Sequence, residues 1–379
     1  MFKFFNKANK KETNKLNIWL TNEIKRCELF NIDLTKYINQ DTHPLHAKWI
    51  AQALIDGISP ENVKIIAKTT YTNEENVKKL YDYYMINPDI DYYINYFLPE
   101  NTEIRNKKES TCYYGAIIGD IIGQPYEFTE HGNISNLIGR TNFFTDDTVL
   151  TIATRNAILE CKVNPNYRKH YISMYNKFKN AGYGSSYIRW CIGNEIDNKT
   201  GYGSYANGSA MRISPIAAMY NDVTDVIRQA VYSASVTHNH IDGIKGAVVT
   251  AVCIWMAKNK YSKEDIKKYL YKHYHYTPEQ KKEMTNGFCL FDLEKGDDNN
   301  FNNKYSLFCN FAVPYAIWCF LETNDFESCM KKVLSHFCDS DTICSIAGAI
   351  SFAFYDLNIN NFNVDEKIKD IKEYICQSA

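Results

Sequence analysis

Apolar residues recur in steps of three and four along most of the chain from Thr111 onward. Five segments carry the pattern most clearly: Val149–Leu159, Ile213–Met219, Ala247–Ala257, Ala312–Leu321 and Ile343–Phe354. Apolar residues at this spacing fall on one face of an α-helix. Strand signals are scarce, because no run of alternating apolar and polar residues ends in a two-residue hairpin turn. The sequence therefore predicts an all-α domain, a compact helical bundle, over residues 109–379.

The first hundred residues differ, since they are polar and helical in pattern and lack a catalytic-type cluster. They contain two related units, the first comprising Ile32–Ile38 and His46–Leu54 and the second Ile58–Ile66 and Glu75–Tyr83. Ser59 is the predicted N-cap of a helix that begins at Pro60. The polar stretch Asn101–Ser110 is the predicted linker. We therefore predict a small helical N-terminal extension over residues 1–108, a candidate for contact with a protein partner.

Composition excludes few classes and is that of an ordinary soluble globular protein. The apolar fraction is 45%, the charged fraction 23% and the net charge −1, so no excess of basic charge predicts a nucleic-acid partner. The 12 cysteines form no C-x-x-C pair, which favours reduced, mostly buried thiols and a cytoplasmic location. No apolar stretch is long enough for a signal peptide or a membrane span, so we expect no membrane partner.

Two short acidic clusters each precede one of the predicted helices, far apart in the chain. They are Thr145-Asp146-Asp147-Thr148 and Asp339-Ser340-Asp341-Thr342. Helix N-capping is a sufficient explanation for one acidic residue or threonine in each cluster. Two carboxylates with flanking hydroxyls exceed that need, because like charges held together repel. Hard oxygen ligands at this density are typical of a divalent-cation site, so we predict that the two clusters together bind Mg²⁺ or a similar ion.

Glycine recurs at every fourth position within Gly115–Gly123, and Pro125 follows shortly after. On a helix this spacing forms a flat stripe, which favours close packing against another helix. Pro125 is expected to break the helix. Glu127, just beyond the break, is a candidate proton acceptor or gate, although a carboxylate in such a loop is more often simply solvated.

The segment Gly201–Arg212 is rich in small residues and leads into a predicted helix. Small residues give an anion access to backbone N–H groups, so the segment is a candidate diphosphate-binding loop, with Tyr205 available to stack on a base. A Rossmann dinucleotide site would instead need a strand before the glycines and an acidic residue about twenty positions later. Asp222 and Asp225 could meet the second requirement, but no strand is predicted before the loop.

A fourth motif, Thr237-His238-Asn239-His240, precedes the predicted helix Ala247–Ala257. Its two histidines could bind zinc, but Asp242 is the only other candidate ligand nearby and no cysteine is close. We favour a hydrogen bond from His238 to a phosphate or sugar hydroxyl. A histidine with a purely structural role is the alternative.

Taken in chain order, these motifs resemble those of the ADP-ribosylhydrolase family, also called the ADP-ribosylglycohydrolase or dinitrogenase-reductase-activating glycohydrolase family. The similarity spans Thr111 to Asp356. It rests on five motifs: Gly119-Asp120 with Glu127, residues 145–148, residues 204–212, Thr237-His238 and residues 339–342. Within the family, the third motif is similar to that of the branch that removes ADP-ribose from serine and degrades its polymer.

The resemblance implies an all-α bundle that binds two Mg²⁺ ions, or Mn²⁺, and hydrolyses the bond at C1″ of ADP-ribose. The implied metal ligands are Thr145, Asp146, Asp147, Asp339, Asp341 and Thr342. The implied catalytic residues are Glu127, Asp146, Asp147 and Asp341. The implied substrate contacts are Gly184, Gly203, Ser204, Tyr205, Asn207, Gly208 and His238. The expected partner is ADP-ribose or an ADP-ribosylated protein, and the modified acceptor is left open.

The chain departs from the family pattern at Phe337-Cys338, where a glycine pair usually precedes the last acidic cluster, and at Cys344, usually a small apolar residue. The first departure allows a different backbone path, and neither removes a ligand. Two other functional classes stay open. One is a catalytically weak ADP-ribose-binding module, which loss of ligands would mark. The other is a metal-dependent phosphohydrolase, which would release phosphate.

Overall fold

The computed structural model describes residues 20–39, 42–69, 74–86, 89–106, 110–129, 134–197, 201–274 and 305–376. Over these ranges the chain forms two compact units, which divide between Tyr92 and Tyr93. The boundary near residue 108 stays a prediction. Every regular element in these ranges is a helix, and an isolated β-bridge joins Ala206 and Phe308. The all-α fold class that the apolar spacing predicted is confirmed.

The N-terminal unit is built from short helices. Three helices of this unit pack against one another: α1 (Pro44–Ile55), α2 (Pro60–Thr69) and α3 (Glu74–Ile86). Helix α2 begins as predicted, because Pro60 is its first residue and the Asn62 N–H donates to Ser59 Oγ at 3.4 Å. The two proposed repeats are unequal, since only a 3-10 turn, Leu34–Lys36, forms within residues 32–38. The repeat and a protein partner for this unit stay predictions.

The second unit contains the acidic clusters. After α4 (Ile90–Phe97), its helices are α5 (Tyr113–Gly123), α6 (Asp146–Glu160), α7 (Tyr167–Lys177), α8 (Ser185–Asp197), α9 (Gly208–Met211), α10 (Ser214–Met219), α11 (Val223–Ser235), α12 (Ile241–Lys258), α13 (Lys263–Tyr274), α14 (Cys309–Leu321), α15 (Phe326–Leu334), α16 (Ser340–Phe354) and α17 (Lys372–Cys376). The five predicted helices correspond to α6, α10, α12, α14 and α16. Predicted Ile213–Met219 begins one residue before α10, and each of the other four predicted segments lies within its helix. Helix α12 lies at the centre, packed against α11, α14 and α16, and is buried on nearly all sides.

Helices α5 and α16 pack unusually closely through glycine. A Cβ at Gly119 would overlap the carbonyl of Cys344, and a Cβ at Gly115 would overlap the carbonyl of Gly348. The predicted packing role of the glycine stripe is therefore confirmed. Next to this contact, the Ser340 hydroxyl donates to the carbonyl of Gly123 at 2.8 Å. The close packing thus joins the C-terminal end of α5 to the N-terminal end of α16, where the second acidic cluster lies.

The described part of the predicted linker belongs to the second unit. Residues 101–106 are irregular, and the N–H groups of Arg105 and Asn106 donate to Asn259 Oδ1 at 2.9 and 3.0 Å.

No helix in the described ranges is long and apolar enough to cross a membrane. Among the cysteines whose side chains the structure describes, all but Cys161 are buried, as the sequence predicted.

Candidate active site

The first acidic cluster forms the N-terminus of α6. Thr145 is the N-cap, and its Oγ1 accepts a hydrogen bond from the Asp147 N–H at 3.2 Å. Asp120, fully buried on α5, holds the turn: its Oδ2 accepts from the N–H groups of Thr145 and Thr148 at 2.8 and 3.1 Å. Since a hydroxyl caps the helix and Asp120 holds the turn, capping does not account for Asp146 and Asp147.

The second acidic cluster forms the N-terminus of α16. Asp339 occupies the N-cap position, but its side chain makes no capping hydrogen bond. Instead, its Oδ2 accepts from Asn207 Nδ2 at 2.6 Å, and its N–H donates to Ser306 Oγ at 3.0 Å. Asp341 Oδ1 accepts from the Thr342 N–H at 2.8 Å. Capping again does not account for a pair of buried carboxylates.

The two clusters meet, although their contacting residues are 195 positions apart in the chain. Thr342 Oγ1 donates to Asp147 Oδ2 at 3.2 Å. Glu127, Asp339 and Asp341 each present a carboxylate oxygen, and the three oxygens lie within 4.8 Å of one another. Within the described part of the chain, Asp147 Oδ1 is buried and has no hydrogen-bond partner. This arrangement of oxygens can hold a hard divalent cation.

One cavity of about 580 Å³ includes all of the residues that the resemblance assigned to the site. Its volume lies within the range of about 300–1,000 Å³ that is usual for small-molecule sites. The acidic residues and threonines in its lining are Glu127, Thr145, Asp146, Asp147, Asp339, Asp341 and Thr342. The expected substrate contacts in its lining are Gly184, Gly203, Ser204, Tyr205, Asn207, Gly208 and His238.

The electrostatics of the acidic wall are unfavourable to full ionisation. Burial, and then the charges of Asp120 and Asp339, raise the pKa of Asp146 to about 8. Burial, followed by the charges of Asp120 and Asp146, raises the pKa of Asp147 well above its ordinary range. Burial and then the charge of Asp339 do the same to the pKa of Asp341. A bound divalent cation would reverse this cost, because it favours the ionised form of every carboxylate around it.

Glu127 lies at the mouth of the cavity, directly after the 3-10 turn Gln124–Tyr126. Partial burial, and then the charges of Asp339 and Asp120, raise the pKa of its carboxyl group. The next residue, Phe128, is tied to the segment that departs from the family pattern. Its N–H donates to the Cys338 carbonyl at 3.0 Å, and its ring lies 6.0 Å from that of Phe337. The Phe337-Cys338 pair therefore supports the segment that carries Glu127.

The glycine-rich loop forms another part of the cavity lining. Gly203 has a φ of 70°, a conformation that favours glycine, and its N–H donates to Asn239 Oδ1 at 2.7 Å. Tyr205 is 40% exposed, and its ring centroid lies 5.0 Å from that of Phe308. This leaves a partly open aromatic surface in the cavity lining, at the end of the loop that carries Asn207.

His238 and His240 have different roles, and neither belongs to a zinc site in the described structure. His240 is the N-cap of α12, and its Nδ1 accepts from the Asp242 N–H at 3.2 Å. His238 is 4% exposed and lines the cavity, and its Nδ1 lies 2.7 Å from Thr237 Oγ1. Among the described residues, the three carboxylate oxygens that lie within 4.8 Å of one another belong to Glu127, Asp339 and Asp341, and no histidine joins them.

Sequence reasoning assigned no role in the site to Asp120, Arg212 and Phe308. Asp120 organises the first acidic cluster, while Arg212 and Phe308 line the cavity. Arg212 is fully buried, and its guanidinium lies 4.2 Å from the Tyr171 ring centroid. The position of Asp120 among the apolar residues of α5 was a usable signal of a structural or functional role, because a buried charge needs a partner. Phe308 had no comparable signal.

Comparison with known proteins identifies relatives of most of the second unit. The sequence matches the ADP-ribosylglycohydrolase family over residues 102–358. It is 24% identical to "ADP-ribosylhydrolase ARH3" of Mus musculus, over 65% of this chain and 83% of that protein. The corresponding protein of Homo sapiens is 23% identical over 65% of this chain and 85% of its own length. A "Putative ADP-ribosyl glycohydrolase L543" of Acanthamoeba polyphaga mimivirus is 24% identical over 66% of this chain and 88% of its own length.

A solved structure has the same fold. The chain aligns with an "ADP-ribosylglycohydrolase-related protein complex" at a TM-score of 0.51 and 17% identity, over 70% of this chain and 95% of the other. The match to the family over residues 102–358 confirms the family that the motifs predicted. The chain belongs to the ADP-ribosylglycohydrolase family and is a glycosyl hydrolase similar to its ARH3 members.

Proposed function

We propose that this protein is a Mg²⁺-dependent hydrolase that cleaves the glycosidic bond at C1″ of ADP-ribose in a modified protein side chain or a small conjugate. The observation that carries the proposal is the single cavity with two chemically distinct walls. One wall is made of clustered carboxylates, and the other combines a glycine-rich loop with an aromatic ring. The carboxylates suit a cation and the vicinal hydroxyls of a ribose. The loop and the ring suit a diphosphate and an adenine.

The donor set fits a divalent cation of the magnesium type. The candidate ligands are all oxygens, which hard cations prefer, and they are Thr145, Asp146, Asp147, Asp339, Asp341 and Thr342. The unpartnered Asp147 Oδ1 and the three converging oxygens of Glu127, Asp339 and Asp341 support the fit. The number of carboxylates supports two ions, Mg²⁺ or Mn²⁺. When bound, such ions would orient the ribose hydroxyls and lower the pKa of a water molecule.

The residues of the glycine-rich loop would bind the rest of ADP-ribose. Ser204 would present its backbone N–H to the diphosphate, Gly203 would let the diphosphate approach the backbone closely, and Tyr205 would stack on the adenine. Asn207 would act at the junction, because its Nδ2 donates to Asp339 Oδ2 at 2.6 Å and so couples the loop to the acidic wall. Gly184, Gly208 and His238 would complete the enclosure of the ligand.

Glu127 is the proposed acid/base residue. In the reaction, the oxygen of a water molecule forms a bond to C1″ while the bond from C1″ to the acceptor breaks. The water loses a proton and the departing acceptor gains one. A carboxyl group with a raised pKa at the cavity mouth is suited to move that proton. The modified acceptor would lie at the open end of the cavity, next to Glu127.

The test is a panel of defined conjugates, namely ADP-ribosylated arginine, ADP-ribosylated serine and O-acetyl-ADP-ribose, assayed with Mg²⁺, with Mn²⁺ and with EDTA. We expect release of ADP-ribose from at least one conjugate, and loss of that activity in EDTA. Binding of ADP-ribose by calorimetry without turnover of any conjugate would instead favour a binding module. Release of phosphate in place of ADP-ribose would identify a phosphohydrolase. Equal turnover in EDTA would contradict the metal requirement.

A further inference from the structure

A buried chain of hydrogen bonds connects Arg212 to His238, a residue of the cavity lining, through Thr237. Arg212 Nη2 donates to Thr237 Oγ1 at 2.7 Å and to the Ser233 carbonyl at 3.1 Å. Thr237 Oγ1 then lies 2.7 Å from His238 Nδ1. Arg212 and Thr237 are both 0% exposed, so solvent does not compete for these bonds.

The direction of the Thr237–His238 hydrogen bond follows from the donors and acceptors available. A guanidinium can only donate, so Thr237 Oγ1 accepts from Arg212 and keeps one proton of its own to give. Among the described hydrogen bonds, the only acceptor for that proton is His238 Nδ1. An imidazole whose Nδ1 accepts carries its proton on Nε2 when the ring is neutral.

The surroundings also keep the imidazole neutral. Burial, and then the positive charge of Arg212, hold the pKa of His238 well below its ordinary range. The neighbouring Tyr202 ring, whose centroid lies 5.9 Å from that of His238, adds no charge at neutral pH because burial raises the pKa of its phenol. The ring of His238 thus offers one N–H donor, on Nε2.

The Nε2 atom faces the glycine-rich loop. A Cβ at position 208 would lie 3.1 Å from His238 Nε2, so the absence of a side chain at Gly208 keeps this edge of the ring accessible. Both residues line the cavity. An oxygen of a ligand bound by the loop would therefore face the Nε2–H donor of His238. The Thr237 hydroxyl, bonded to Nδ1 of the same ring, fixes the orientation of the ring and the position of its proton.

We infer that Arg212 and Thr237 are positioning residues, which hold His238 as a neutral Nε2–H donor toward an acceptor oxygen of ADP-ribose. The inference rests on the proposed function for the identity of the ligand. The tautomer itself is a property of the free protein. Arg212 also lines the cavity, but its effect on His238 passes through the Thr237 hydroxyl.

The test combines a spectroscopic measurement on the free protein with a binding measurement. Nitrogen NMR of protein labelled with ¹⁵N-histidine distinguishes the two tautomers, and His238→Gln identifies the His238 signals. We expect a protonated Nε2 and an unprotonated Nδ1 in the wild type at neutral pH. We expect Thr237→Val, which removes the hydroxyl at nearly constant volume, to lose this fixed tautomer. Thr237→Ser keeps a hydroxyl and should preserve it.

Calorimetry with ADP-ribose supplies the second measurement. Thr237→Val should raise the Kd by about 10-fold, the size of one lost hydrogen bond, and Thr237→Ser should stay within about 3-fold of the wild type. A wild-type ring protonated on Nδ1 would overturn the inference even if Thr237→Val fails to fold, and so would equal binding by the Val and Ser variants. If the wild type does not bind ADP-ribose, the proposed function and the assigned ligand fail, while the NMR result still decides the tautomer.

Discussion

Replacing Asp147 by asparagine should stabilise the metal-free protein while it removes the response to Mg²⁺. Asp147 is 2% exposed, its pKa is raised well above the ordinary range, and its Oδ1 has no hydrogen-bond partner in the described structure. Without a cation, an ionised Asp147 is therefore a cost to the folded state. Asparagine keeps the shape of the side chain and its carbonyl oxygen but carries no charge.

The magnitude follows from the pKa shifts in this cluster. Each unit by which a folded-state pKa exceeds its ordinary value corresponds to about 1.4 kcal/mol. The pKa of the neighbouring Asp146, raised from 3.8 to about 8, would alone cost on the order of 4 kcal/mol at neutral pH. Protons redistribute among the neighbouring carboxylates, so we expect a gain of roughly 2 kcal/mol for Asp147→Asn in EDTA.

The pH dependence of stability independently gives the sign of the change expected for Asp147→Asn. Since burial raises the pKa of Asp146 from 3.8 to about 8, its carboxyl group binds more protons in the folded protein than in the unfolded chain between about pH 4 and pH 8. The contribution of the acidic cluster to the stability of the metal-free wild type should therefore be most favourable at the acidic end of this window and become less favourable as the pH rises. The amide side chain that replaces the Asp147 carboxyl has no proton to lose, so the advantage of Asp147→Asn should grow with pH.

Urea unfolding followed by circular dichroism measures this difference, in EDTA and in millimolar Mg²⁺. The matched control is Asp365→Asn, because Asp365 is exposed and its ion pair with Lys372, at 2.8 Å, lies at the surface, so its replacement should change stability little. Mg²⁺ should stabilise the wild type and the control, but stabilise Asp147→Asn much less. Equal stabilisation of all three proteins by Mg²⁺, or a metal-free Asp147→Asn less stable than the control at about pH 8, would refute the reasoning.

Three further predictions concern the remaining parts of the site and its support. Glu127→Gln should lower kcat by at least about 100-fold, because it removes proton transfer. It should leave the Kd for ADP-ribose nearly unchanged, because it keeps the size of the side chain. A normal kcat in steady-state assays would exclude the acid/base role. Tyr205→Ala should raise the Kd for ADP-ribose by about 10-fold in calorimetry, because it removes the stacking ring. Tyr205→Phe keeps the ring and should bind ADP-ribose about as well as the wild type. Equally weakened ADP-ribose binding by both variants would argue against stacking. Gly119→Ala should destabilise the fold by about 1–3 kcal/mol in urea unfolding, because its Cβ would overlap the Cys344 carbonyl; a variant as stable as the wild type would mean that α5 and α16 can separate at little cost.

The helices of this protein were predictable because their signals are local. Apolar periodicity located α6, α12 and α16, and the Ser59-Pro60 pair located the start of α2. The glycine stripe in α5 predicted a close helix contact. It could not identify the partner, α16, because a flat helical face fits any sufficiently smooth neighbour.

The acidic clusters show where local reasoning stops. Each cluster alone was compatible with helix capping. The structure separates the two explanations, because Thr145 caps α6 with its hydroxyl and Asp339 makes no capping bond at all. Which of several polar residues accepts an N–H bond depends on rotamers and neighbours, and a four-residue sequence does not contain them.

The amino-acid sequence by itself determined the all-α class, the positions of the main helices, the two clusters of oxygen donors and, through its motifs, the family. Those properties depend on residues that are neighbours in the chain. Only the tertiary structure decided that residues 195 positions apart share one acidic wall, that Asp120 holds its turn, and that Arg212 reaches His238 through Thr237. Such contacts arise when whole helices pack, and the packing of α5 on α16 brings the two ends of the site together.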